Sequence, residues 1–228
     1  MNTPTKFFRY FALHTTPRKV FYDMKKSFFQ KTYNLNINLI ILILLLLLLK
    51  FALLLLENQL GNIEIESLQS SISFVQDKLN FIAYFVQSLT LTLTSILVLS
   101  ICTELFQRFT KDSILNYFKS IYQTIRLRQF LKQDEMSESI NSIDNQTTVT
   151  KFNPILKNFN HAISSCTVDI RRDTLSVFIK YPRTQQAQKL LRDMEGHVKE
   201  EISGQNPDYY FSSSIREGNK LWYIGTRR

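Results

Sequence analysis

The chain has 228 residues, a formal net charge of +9, 18 phenylalanines and only five glycines. No two of those glycines (Gly61, Gly196, Gly204, Gly218, Gly225) stand at the spacing of a phosphate loop or a dinucleotide fingerprint. The two cysteines, Cys102 and Cys166, and the three scattered histidines, His14, His161 and His197, form no metal motif, so no metal or cofactor is expected.

Residues 1–36 form a basic, aromatic arm. Seven bases against Asp23 give it a net charge of +6, and Phe7, Phe8, Tyr10 and Phe11 lie among them. Val20, Phe21, Met24 and Phe28 fall on one helical face, with Arg18, Lys19, Lys25 and Lys26 around the rest. Such a segment suits an anionic headgroup layer, where each base near the surface adds about 1 kcal/mol of attraction. Organellar presequences share this composition.

Two apolar segments follow, residues 37–56 and 79–105. Each is long enough for a helix to cross a bilayer core, which takes about 20 largely apolar residues. Glu57, Asn58 and Gln59 follow the first, so it has no small-residue cleavage site and reads as a permanent span. The loop between them, 57–78, is acidic, with Glu57, Glu64, Glu66 and Asp77 against Lys78. Bases flank the pair at its far ends, including Arg108, Lys111 and Lys119. Retention of Lys and Arg on the cytoplasmic side therefore predicts a hairpin in the plasma (inner) membrane, both termini cytoplasmic.

Lys50 interrupts the first segment near its outer end. An antiparallel partner brings Tyr84 or Gln87 to the same depth, so Lys50 and Gln87 form a candidate intramembrane polar site; the alternative is a lysine that snorkels to the headgroups. Ser88, Thr90, Thr92, Thr94 and Ser95 in the second segment either mark close helix packing, within the hairpin or between copies, or bond their own helix's carbonyls.

Residues 106–132 read as an amphipathic stalk helix. Ile114, Leu115, Phe118, Ile121, Tyr122 and Ile125 form its apolar stripe, for self-association or packing on the terminal domain. Residues 133–152 are polar and aperiodic, a linker. The terminal domain, 153–228, opens with Asn153-Pro154, a cap followed by proline at the first helical position. Its patterning predicts the order αββαββ. Val168 and Ile170 alternate opposite Leu175, Val177 and Ile179 in a first hairpin; Ala187, Leu190, Leu191, Met194, Val198 and Ile202 line a helix. A second hairpin joins Tyr209–Ile215 to Leu221–Thr226.

The expected fold is thus an α+β membrane protein: a two-helix transmembrane hairpin, a cytoplasmic stalk, and a four-stranded antiparallel sheet with two helices on one face. The run Asp169–Asp173 before Leu175 matches Ser214–Gly218 followed, one insertion later, by Leu221, which suggests two duplicated αββ units. That match makes Arg171 and Arg216 equivalent, places Phe211, Ser213 and Ile215 in the core, and marks Arg171, Arg172 and Arg216 as candidate phosphate or partner contacts.

Carboxylates are unpaired, and no group orients His161 toward Cys166, so no enzyme chemistry is expected. Residues 151–228 carry 13 bases and 8 acids, interleaved with Tyr209, Tyr210, Trp222 and Tyr223. The reading is a non-catalytic subunit or scaffold of a membrane complex, contacting lipid and other membrane proteins or further copies of itself. The alternative is a membrane-tethered nucleic-acid binder.

Overall fold

A computed structural model describes residues 25–61, 69–138 and 150–228. The expectations for the amino-terminal arm up to residue 24, for residues 62–68 of the acidic loop and for the middle of the linker lie outside the described residues; the rest of the segment expected as a loop, 57–61 and 69–78, is helical, extending the two apolar helices. The chain is α+β. Helix α1 (Phe28–Gly61) and helix α2 (Gln69–Lys111) pack on each other as a hairpin, followed by α3 (Ile114–Leu131). Strands β1 (Met136–Glu138) and β2 (Thr150–Phe152) pair antiparallel, so the ends of the segment expected as a linker are joined. Then come α4 (Pro154–Ile163), β3 (Thr167–Ile170), β4 (Thr174–Lys180), α5 (Gln185–Gln205), β5 (Tyr209–Phe211), β6 (Ile215–Glu217) and β7 (Lys220–Arg227).

Helices α1 and α2 are long and apolar enough to cross a membrane. Leucine covers α1 on all sides, and Leu42, Leu45, Leu48, Phe51 and Leu55 are exposed around its circumference. A helix apolar all round has no face for water and belongs in a protein core or in hydrocarbon. The α2 hydroxyls bond their own helix, Thr90 to Val86 O at 2.7 Å and Thr94 to Thr90 O at 2.7 Å. Val86 and Thr90 are also buried, so the same stretch packs inside the hairpin.

The main sheet is antiparallel throughout, in the order β3-β4-β7-β5, with β6 also on β7. Each hairpin places its first strand at an edge and its second at the centre. Asn153 caps α4 as expected, its Oδ1 accepting from Ile155 N at 3.0 Å, with Pro154 at the first position. Phe159 and Ile163 of α4 and Ala187, Leu191, Val198 and Ile202 of α5 share one core with Val168, Ile170, Leu175, Val177, Ile179, Phe211, Leu221 and Tyr223. Both helices therefore cover one face. Gly225 is required where it stands, because a Cβ there would meet the Phe211 ring at 2.9 Å.

Two expectations fail in the second hairpin. Residues 212–214 leave the ladder, and beyond this break Ile215 pairs with Trp222 and Arg216 with Leu221. Ile170, in contrast, pairs with Leu175 inside the core. A one-residue offset moves every side chain to the other face, so Ile215 and Ser213 are exposed and the proposed match of the two repeats is out of register.

The face opposite α4 and α5 is also covered. Gln30 Nε2 donates to Ser176 O and Oγ at 3.2 Å, and Lys26 Nζ lies 3.6 Å from the centre of the Phe178 ring. Phe178 in turn packs edge-on against Trp222, ring centres 5.1 Å apart. The first turn of α1 thus lies across β4, and all four residues of β3 are buried, on both faces.

Candidate functional site

The functional geometry is concentrated where the hairpin meets the sheet. The elements there are the end of α2, the start of α3, and the outer edge of β3. An edge strand presents a row of backbone groups that must find partners. Along β3 they find side chains of α3. Arg128 donates to Cys166 O from Nε at 2.8 Å and Nη2 at 2.6 Å. Val168 N donates to Thr124 Oγ1 at 2.9 Å, and Ile170 N to Ser120 Oγ at 2.9 Å. The row continues past a bend at residues 112–113: Arg108 Nη1 donates to Ile170 O at 2.6 Å, and Arg172 N to Asp112 Oδ1 at 2.8 Å.

The spacing has a simple geometric cause. Four residues of α-helix rise about 6.0 Å, and two residues of strand advance about 6.7 Å. A polar side chain every fourth helical residue therefore keeps step with every second strand residue. Glu104, Arg108, Asp112, Asn116, Ser120, Thr124 and Arg128 form that series. Leu127 and Leu131 flank it and join the core of the sheet.

Arg108 is the centre of the junction. Its side chain is fully buried, with Nε on Glu104 Oε1 at 2.8 Å, Nη1 on Asp112 Oδ2 at 3.1 Å and Nη2 on Asp169. Arg171 adds a second cation, 3.0 Å from Asp169. Isolated charges here would cost several kcal/mol each, so the cluster holds only as a set. Glu104, Arg108 and Asp112 stand at helical intervals of four on α2 and its extension, whereas Asp169 comes from β3. The guanidinium thereby ties the second apolar helix to the sheet.

The apolar stripe of α3 is not the face that meets the terminal domain. Leu115, Phe118, Tyr122 and Ile125 are exposed, as are Phe106 and Phe109 at the end of α2. Beside the junction a cleft of 540 Å³ opens between α3, the β3–β4 turn and the α5–β5 connection. Asp112, Asn116, Lys119, Arg172, Tyr209 and Arg227 are among its lining residues.

The residues singled out from sequence separate into distinct places. Lys50 Nζ donates to Gln87 Oε1 at 3.1 Å, so Gln87 rather than Tyr84 is the lysine's partner across the hairpin. Arg171 belongs to the buried junction and Arg172 lines the cleft. Arg216 lies at the opposite end of the sheet, stacked 3.9 Å from the Tyr181 ring centre, about 20 Å away along β4 at about 3.3 Å per residue. Arg171 and Arg216 therefore do not meet on one ligand. Of the interleaved aromatics, Trp222 and Tyr223 are buried and Tyr209 is half-buried with its hydroxyl on Arg171 O at 2.7 Å; Tyr210 is exposed.

Cys166 is fully buried, and burial pushes its thiol up to about 12, the reverse of an activated nucleophile. The sequence signal that marks this site is a polar residue at every fourth position from Glu104 to Arg128. Of the two roles open to the apolar stripe, packing on the terminal domain is the one the structure does not bear out. Compared with known protein families, curated proteins and solved structures, the chain has no match.

Proposed function

We propose that this protein is a membrane-anchored, non-catalytic subunit or scaffold whose sheet domain is held rigidly at the cytoplasmic surface by its own transmembrane hairpin. The carrying observation is the lacing of β3 to α2 and α3, in which Arg108 joins the base of the second apolar helix to Asp169 and Ile170 of the sheet. A freely tethered domain has no need of a buried charge cluster at its root. A domain that must present a surface at fixed height and orientation does.

The lipid-facing part is the leucine-covered hairpin, in the plasma (inner) membrane with both termini cytoplasmic by the charge asymmetry of its flanks. The partner-facing part is the exposed row Leu115, Phe118, Tyr122 and Ile125 on α3, aromatic-rich and backed by the rigid ladder. Tyr122 and Phe118 are the anchors a protein partner or a second copy would cover.

The test uses the full chain with a photo-crosslinking residue at Phe118 or Tyr122 in intact cells, after checking that the protein stays in the membrane pellet through alkaline carbonate. Crosslinks to one defined protein, or to a second copy, are expected at these positions and not at Lys189 on α5. A chain released by carbonate, or crosslinks shared equally by both positions and Lys189, overturns the reading.

A further inference from the structure

We propose that the cleft beside the junction is a binding site for a phosphate-bearing anion, its phosphate supplied either by an anionic phospholipid headgroup or by a free phosphate compound. Three cations from three separate elements converge on it: Lys119 from α3, Arg172 from the β3–β4 turn and Arg227 from the end of β7. None of the three has a carboxylate partner among the described residues.

The acids present do not cancel them. Asp112 is spent inside the protein, with Oδ2 on Arg108 and Oδ1 accepting from Asn116 Nδ2 at 2.7 Å and Arg172 N at 2.8 Å. Among the described lining residues that leaves Asp208 against three bases, with Asp173 behind the turn, its backbone carbonyl accepting from Arg227 N at 3.0 Å. The same bond from Arg172 N to Asp112 fixes the turn that carries the Arg172 guanidinium, and Arg227 is held in the ladder opposite Tyr209. Two arginines on fixed backbone offer planar donor forks suited to phosphate oxygens, with Lys119 as a mobile point charge. A cleft of 540 Å³ has the room a small ligand requires.

The lipid source rests on the membrane reading above. Exposed Phe106 and Phe109 follow the second apolar stretch and suit the interfacial layer, and Asp112 lies three residues beyond Phe109, about 4.5 Å along a helix. The mouth of the cleft then stands at headgroup height, and the bases face what an anionic leaflet presents.

The experiment uses the full chain in a neutral detergent at low salt. Binding of inorganic pyrophosphate is measured by calorimetry, and retention of short-chain phosphatidylglycerol against phosphatidylcholine by native mass spectrometry. Wild type is compared with Arg172→Glu/Arg227→Glu, with Lys119→Glu alone, and with the distant control Arg192→Glu. Affinity for pyrophosphate, for phosphatidylglycerol, or for both should fall at least tenfold in the double variant and weaken in Lys119→Glu. It should hold in the control and decline with added salt. Pyrophosphate alone identifies a free phosphate compound, and phosphatidylglycerol alone identifies the headgroup. No binding of either by wild type, equal binding by the variants, or binding of a single-stranded oligonucleotide only, overturns the proposal. Should the double variant lose its helical circular dichroism, Lys119→Glu, a change of one exposed side chain, decides in its place. A chain released from membranes by carbonate yet binding pyrophosphate would sink the membrane reading and leave the site standing.

Discussion

Thr124 and Val168 exchange two hydrogen bonds through a single hydroxyl: Val168 N donates to Thr124 Oγ1 at 2.9 Å, and that oxygen donates to Val168 O at 3.3 Å. One threonine thereby does for an edge-strand residue what a neighbouring strand would do. The effect is to close the sheet with a helix, which removes the open edge that otherwise invites another chain to pair.

Thr124→Val keeps the shape of the side chain and deprives two buried backbone groups of their partner. An unsatisfied buried group costs about 1–3 kcal/mol, so with two such groups the variant should lose roughly 2–6 kcal/mol. Thr124→Ser should recover most of it. Thermal unfolding of the detergent-solubilised protein gives the stabilities, and amide exchange at Val168 should accelerate in Thr124→Val more than at Val177 in the sheet centre. Uniform acceleration would mean that the hydroxyl contributes only to general packing.

Arg108→Leu leaves Glu104, Asp112 and Asp169 buried around an apolar side chain. Removing one partner of a buried charge set typically costs about 3–5 kcal/mol, much of it the penalty of stranding the others. Arg108→Lys keeps the charge but supplies no planar fork for three carboxylates and Ile170 O, and should fall between. Unfolding midpoints in the order wild type, Arg108→Lys, Arg108→Leu are expected. A fully stable Arg108→Leu would contradict the role of the cluster as a clasp.

How far the sequence carries this architecture depends on whether a signal is local. The apolar stretches and the Asn153-Pro154 cap are local, and so is the alternation from Val168 to Ile179; each appears in the structure as read. The face of Ile215 is not local. It depends on the break at residues 212–214 and on the one extra residue between Gly218 and Leu221, whose effect on register shows only once the turn is placed at Gly218-Asn219. For α3 the apolar stripe suits either self-association or packing on the terminal domain, and the stripe alone does not say which. The inward face here is Ser120, Thr124 and Arg128, because it must satisfy a strand edge as well as fill space. Arg108 looked like one more flanking charge; only the fold brings Asp169 to it.

Cysteine chemistry offers a test of the junction's packing. Cys102 is exposed on α2, and Cys166 is sealed at the start of β3. A membrane-permeant maleimide should spare Cys166 until the protein is unfolded. The pH dependence follows from the thiol's shift, from an ordinary value of 9.0 to about 12, caused by burial. The folded state holds the proton more tightly than the unfolded chain. The associated stability is therefore complete below about pH 9 and is lost as pH rises toward 12. Compared with Cys166→Ala, wild type should lose stability more steeply across that window. Parallel curves for the two proteins would show that the thiol is not held in its protonated form.

Orientation is tested by the exposed positions Ser70, at the start of α2, and Ser213, between β5 and β6. In a background lacking Cys102 and Cys166, each is replaced by cysteine in turn and intact cells are treated with an impermeant maleimide. In the proposed orientation, the bases flanking the outer ends of the hairpin keep those ends, and the sheet, on the cytoplasmic side and the acidic connection on the other. Ser70→Cys should therefore react in intact cells, and Ser213→Cys only after the membrane is permeabilised. Ser70 sits at the start of α2, and the sheet that carries Ser213 is clasped through Arg108 to the far end of that 43-residue helix, about 64 Å long at about 1.5 Å per residue and well beyond the thickness of a bilayer. A helix of that length places its ends on opposite sides, so one labelled position predicts the silence of the other. Labelling of both in intact cells would remove the helix from the membrane, and the reverse pattern would invert the hairpin and with it the compartment of the sheet.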